Sequence, residues 1–213
     1  MRALRSALKL IRDARRPYVI LNLAYHGLVA CAMVYTAFDR SLQQALMDTV
    51  GGALAEGPLA SVLDAYTSER VLLAIGLTFG INLAVGSFVS ITLPSLVIPF
   101  SGVLIAALRA VLWGVLFSPQ LVTEIGAGEV VTGVLLVILL LLEGQGYVLA
   151  LFGAYRRARA FLRPRSVGAT GPLQGYWHGL KEQVPIYLLV ALVLLVAAVY
   201  EVLLVVVAMP ALG

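Results

Sequence analysis

Between Val184 and Met209 the chain carries one charged side chain, Glu201, and this stretch exceeds the roughly 20 residues a helix needs to cross a bilayer's hydrocarbon core. Comparable apolar runs occupy about 17–38, 70–92, 101–117 and 129–155. Little chain remains for anything else. The pattern predicts an all-α fold: a polytopic transmembrane bundle of about five helices with amphipathic interfacial helices, forming one domain over 1–213. Composition excludes a soluble domain, with 61% hydrophobic residues, 12% charged and a mean hydropathy of +0.98.

Charge placement sets the expected topology. All but Lys9 and Lys181 of the 15 basic residues are Arg, and most fall in two clusters. The net charge of +4 therefore reads as an orientation signal rather than a nucleic-acid footprint, and no nucleic-acid partner is expected. Residues 1–16 place Met1, Leu4, Leu8 and Ile11 on one helical face and Arg2, Arg5, Lys9, Arg12 and Arg16 on another. Such a helix suits an anionic inner leaflet, and serves equally as a basic flank that orients the first crossing. The second cluster, Arg156, Arg157, Arg159, Arg163 and Arg165, opens a basic cytoplasmic loop over 156–182, with Tyr176, Trp177, His178 and Lys181 near the interface. The reading is a multi-pass protein of the bacterial cytoplasmic (inner) membrane, N-terminus inside and C-terminus outside. Anionic lipids are expected at the basic face.

Leu28-Val29-Ala30-Cys31 resembles a lipobox, but Asn22 and His26 interrupt the apolar core and more apolar residues follow, so an uncleaved helix is expected. Cys31 is the single cysteine, which excludes an internal disulfide.

Residues 39–70 carry Asp39, Asp48, Glu56, Asp64 and Glu69 against Arg40 and Arg70. Leu42, Leu46, Val50 and Leu54 repeat as in an amphipathic helix, and Gly57-Pro58 breaks it. The segment is expected to lie on the outer surface, as a partner-docking face or a solvated connector. Ser118-Pro119-Gln120, Glu124 and Glu129 mark a second outer loop. The 93–100 link has no charge and is expected as a tight or re-entrant hairpin.

Small residues recur every fourth position in two stripes: Gly76, Gly80 and Ala84, then Gly102, Ala106, Ala110 and Gly114. In lipid such stripes let helix backbones approach closely, within a chain or between copies of it. A homo-oligomer, a dimer first, is the expectation. The intramembrane polar set is Arg109, Glu143, Glu201, His26 and Asn82. A charge in the hydrocarbon must be paired or face a protein cavity. Arg109 is expected to pair with Glu143, which leaves Glu201 without a countercharge; the same groups could instead line a hydrated path or relay protons. Asn22 and Asn82 read as interhelical hydrogen-bonding groups. No metal-ligand spacing, nucleophile–base arrangement or phosphate-binding loop is present, so no catalytic residue, metal or cofactor is assigned and no enzyme is expected.

The order of these features resembles the stage II sporulation protein M family of integral membrane proteins. Phe79-Gly80-Ile81-Asn82-Leu83 matches a Phe/Asn-containing helix start, and Ser101-Gly102 stands where that family usually has Asn-Gly. Glu143 in Leu142-Glu143-Gly144-Gln145-Gly146 retains the Glu of a His-Gly-x-x-Glu signature, and Ala197-Ala198-Val199-Tyr200-Glu201 matches Ala-Ala-x-x-Glu. The resemblance implies a non-catalytic scaffold or subunit of a membrane or cell-envelope complex, with cell-envelope protein partners. The alternative is an ion channel or a small-solute or proton-coupled transporter built on Arg109, Glu143 and Glu201.

Overall fold

A computed structural model describes residues 2–56, 59–68, 70–118 and 127–208. Among them the chain is helical, with no strand. The expectations for Met1, Gly57-Pro58, Glu69, Pro119-Gln120, Glu124 and Met209 lie outside the described residues. In chain order the elements are α1 (Arg2–Asp13), α2 (Arg15–Phe38), α3 (Ser41–Glu56), α4 (Leu59–Thr67) and α5 (Val71–Ile81). The last of these continues as a π-helical stretch, Asn82–Thr92, into α6 (Leu93–Val97). Then come α7 (Ser101–Leu116), α8 (Ala127–Leu162), a short 3₁₀ turn at Pro164–Val167, and α9 (Pro172–Leu203).

Among the described residues four spans are long and apolar enough to cross a membrane: Arg15–Phe38, Val71–Val97, Val131–Leu162 and Pro172–Val206. The fifth apolar helix, α7, has 16 residues, about 24 Å of rise against a hydrocarbon core of about 30 Å.

The α8–α9 pair is the axis of the bundle and its most extensive contact. Glycines allow it. A methyl added at Gly179 would stand 2.5 Å from the Arg157 Cα, and one at Gly175 would run into the Ala160 carbonyl. Tyr147, Val148, Phe152, Ile186, Val190 and Leu194 fill the core along this seam. Helix α7 packs on α2, where Gly114 meets the Val29 backbone.

Two expectations are corrected at the basic end. Residues 156–182 are mostly helix, because α8 runs to Leu162 and α9 starts at Pro172. Arg156 and Glu182, one on each helix, explain the extension: Nε and Nη2 of Arg156 both donate to Glu182 Oε2, at 2.9 and 2.7 Å. Helix α1 packs against α9, burying Ala7 and Ala14 with Leu10 and Ile11 against the core, while Leu8 is exposed. Its protein-facing stripe is therefore offset from the one periodicity picks out; Arg5, Lys9 and Arg12 still point outward.

The 93–100 link is a tight helical hairpin. Phe100 takes a left-handed conformation, φ 67°, and the Gly102 N–H donates to Ser95 Oγ at 2.8 Å. A side chain at Gly102 would collide with Ser95 and the Ile91 carbonyl. Pro94 supplies no N–H to the preceding turns, and the wider π geometry runs up to it.

Candidate functional site: a buried polar network

The π-helical stretch positions the site. It turns Asn82, Gly86, Ser87, Ile91 and Thr92 inward, and the Ser87 hydroxyl donates to the Asn82 carbonyl at 2.9 Å. π-turns recur at functional positions because the extra residue re-aims side chains. Here it aims Asn82 at α8.

From Asn82 a chain of hydrogen bonds crosses three helices. Asn82 Nδ2 donates to Glu143 Oε1 at 2.6 Å. The Tyr147 hydroxyl donates to Asn82 Oδ1 at 2.9 Å, and Arg109 Nη2 donates to that hydroxyl at 2.9 Å. The Arg109 guanidinium also lies 4.8 Å from the Trp113 ring centroid and 4.0 Å from that of Tyr147, a cation–π arrangement strengthened by burial. Space for it comes from Gly86: a methyl there would stand 3.0 Å from Tyr147 Cε1 and 3.2 Å from Arg109 Nη2.

The expected Arg109–Glu143 pair is thus replaced by a relay. Among the described residues no direct ion pair joins them; Tyr147 and Asn82 stand between. The physical reason is packing. Tyr147 lies one turn from Glu143 on the same face of α8, and its ring occupies the approach a long guanidinium would need. Glu201 approaches Glu143 from α9 and also faces the Tyr66 hydroxyl on α4. That hydroxyl lies 3.0 Å from Thr78 Oγ1. One guanidinium is thus set against two carboxyls, and Glu201 has the Tyr66 hydroxyl and the Glu143 carboxyl as neighbours.

The other predicted residues separate from this set. His26 packs its ring against Gly144 and Tyr25 and makes no recorded bond to Asn82, Arg109, Glu143 or Tyr147. Asn22 bonds within its own helix, Nδ2 to the Tyr18 carbonyl at 3.0 Å, so its interhelical role is not observed. The two small-residue stripes differ. Gly102, Ala106, Ala110 and Gly114 are all buried in the bundle. Gly76 and Gly80 have open space where a side chain would grow, and Ala84 is exposed.

A second polar layer lies toward the basic end. Arg157 is 1% exposed, and its Nη1 donates to Gln183 Oε1 on α9. Gln183 Nε2 reaches Thr92 Oγ1 at 3.4 Å, and Thr92 bonds the Tyr187 hydroxyl. By sequence alone Arg157 belongs to the basic cluster 156–165. The available signal was Gly179 and Gln183 one turn apart on α9, a small residue and an amide able to admit and receive a cation.

Among the described residues no group of three or more His, Cys, Asp or Glu side chains is arranged to hold a metal. No protein-family model, curated protein or solved structure matches the chain.

Proposed function

We propose that the protein is a non-catalytic membrane component that acts as an oligomeric scaffold, in the manner the stage II sporulation protein M resemblance implies. In this reading it sits in the bacterial cytoplasmic membrane with its basic end inside, and the α3–α4 segment meets cell-envelope partners outside. The observation that carries it is the open stripe on α5 and its π-helical continuation. Gly76, Gly80 and Ala84 face outward, whereas the matching stripe on α7 is consumed inside the bundle. Burial against lipid gains nothing for a Leu, so a close-packing groove on a lipid-facing helix is best used by another helix.

The test uses cysteine cross-linking in membranes. Cys31→Ser gives a cysteine-free chain, and Gly80→Cys is added to it, with Leu104→Cys, also exposed, as the control. Oxidation is expected to yield a dimer through position 80 and little through 104. Equal yields at both positions, or none at 80, would refute a stripe-mediated oligomer.

The second reading is a conduit for protons or small ions. It draws support from the contiguity of Tyr66, Glu201, Glu143, Asn82, Tyr147 and Arg109, which traverses the middle of the bundle from α4. Proteoliposome flux that survives in Arg109→Lys but disappears in folded Glu143→Gln and Glu201→Gln would favour it over the scaffold.

A further inference from the structure

At the basic end a cleft of about 400 Å³ opens between the 3₁₀ turn and α9, lined by Val167, Gly168, Ala169, Gln174, Trp177, His178, Lys181 and Glu182. Its polar groups are biased toward donors. Gln174 has its Oε1 occupied by the Thr170 N–H and hydroxyl, at 2.8 and 2.9 Å, which leaves its amide N–H₂ as the group to offer. Lys181 is exposed and has no recorded acidic partner among the described residues. The one acid, Glu182, is committed to Arg156 by two hydrogen bonds, with His178 Nε2 at 4.0 Å. The Arg156 guanidinium offsets the Glu182 charge, which leaves Lys181 as the uncompensated charge among the cleft's lining residues.

The cleft also has a direction. Trp177, Lys181, Val184, Leu188, Leu192 and Leu195 follow one another at three- and four-residue spacing, so they share a face of α9. Below Lys181 that face is apolar and outward: Val184 is 70% exposed. An amphipathic indole at the junction, with a lysine beside it, marks the headgroup level of a bilayer. A ligand seated in the cleft would therefore have its polar part at Lys181 and its apolar part along the bundle's lipid-facing side.

We infer that this cleft binds the phosphate headgroup of an acidic phospholipid, held by Lys181, His178 and Gln174 against Trp177, with its acyl chains along Val184 and Leu188. The site is narrower than general attraction of a basic surface for an anionic leaflet. It predicts a selectivity that Lys9, on α1, and Arg165, in the 3₁₀ turn but not lining the cleft, do not share. A zwitterionic lipid fits less well because its own ammonium group offsets the phosphate charge that Lys181 would meet.

The experiment is native mass spectrometry of the full chain released from a neutral detergent, titrated with phosphatidylglycerol or phosphatidylcholine. Wild type is expected to retain phosphatidylglycerol preferentially. Lys181→Gln should lose roughly fivefold of that retention, a typical worth for one lysine at an anionic surface. Lys181→Arg should keep it, and Lys9→Gln and Arg165→Gln should leave it unchanged. An unchanged lipid-free thermal transition in each variant shows that the fold is intact. Three results would overturn the inference. One is equal retention of the two lipids, and another is equal losses in Lys9→Gln or Arg165→Gln. The third is displacement of the bound lipid by inorganic phosphate at matched concentration, which would make this a site for free anions.

Discussion

Arg109 and Tyr147 engage each other twice: Nη2 donates to the phenol at 2.9 Å while the guanidinium carbon lies 4.0 Å from the centroid of the same ring. The arrangement answers the central problem of a charge inside an apolar bundle without a direct carboxylate contact. The ring faces supply diffuse negative potential, and the hydroxyl passes polarity through Asn82 to Glu143. Each of the three hydrogen bonds in the relay fixes one helix against another: α7 to α8, α8 to the π-helical stretch, and that stretch back to α8.

Tyr147→Phe isolates the hydroxyl. It preserves the ring beneath Arg109 but removes the donor to Asn82 Oδ1 and the acceptor for Arg109 Nη2. Intramembrane side-chain hydrogen bonds are worth about 0.5–2 kcal/mol, and an orphaned buried acceptor adds to that loss. The variant is expected to unfold at a lower temperature in detergent, with an unchanged helical signal before the transition. A wild-type transition temperature would show that the rings alone carry Arg109.

The Asn82–Glu143 bond can be separated from its surroundings by a double-mutant cycle. Asn82→Ala, Glu143→Ala and the pair should show a coupling of about 1 kcal/mol in unfolding free energy. Strict additivity would mean that the 2.6 Å contact contributes nothing beyond the two side chains' separate packing.

Which parts of this arrangement the sequence discloses follows from the range of each signal. Helix placement rests on local hydropathy, and the apolar runs at about 17–38, 70–92 and 184–209 correspond to the spans Arg15–Phe38, Val71–Val97 and Pro172–Val206. Pairing across helices leaves no local trace. Arg156 and Arg157 read as a basic loop because Glu182 and Gln183, which hold them on the helix, lie 26 residues away. Tyr147 was legible in principle, one turn after Glu143, but an aromatic in an apolar run carries little weight unless a cation is known to face it. The two small-residue stripes are indistinguishable as patterns. Only packing shows that Gly102 is filled and Gly80 is open.

That contrast makes a paired prediction. Gly102→Ala places a methyl against Ser95 Oγ and the Ile91 carbonyl, neither of which can yield without opening the α6–α7 hairpin. Overpacking of this kind costs about 1–3 kcal/mol. Gly80→Ala meets nothing within 4 Å in the single chain and gains helix propensity, so in the detergent-solubilised monomer it should be neutral or stabilising by up to about 1 kcal/mol. Thermal unfolding of the two variants in parallel checks this, and a reversed order would show that the hairpin yields where the packing says it cannot.

The α4 segment is tied to the bundle by Tyr66, whose hydroxyl lies 3.0 Å from Thr78 Oγ1 and faces Glu201. Around it Ala65, Ala74 and Val202 form a small apolar cluster separate from the main core. Burial first, then the nearby Glu201 carboxyl, pushes the Tyr66 phenol above its ordinary range. A phenol that holds its proton more tightly when docked than when free stabilises docking below its free value, and loses that contribution as pH rises beyond about 10. Amide hydrogen exchange in α4, taken relative to its base-catalysed intrinsic rate, should therefore stay slow at neutral pH and accelerate in that alkaline window before α8 and α9 respond. Tyr66→Phe cannot ionise, so its α4 exchange should be faster than wild type at neutral pH and lack the alkaline step. An alkaline step of the same size in Tyr66→Phe would assign it to another group and leave α4 held by its apolar cluster alone.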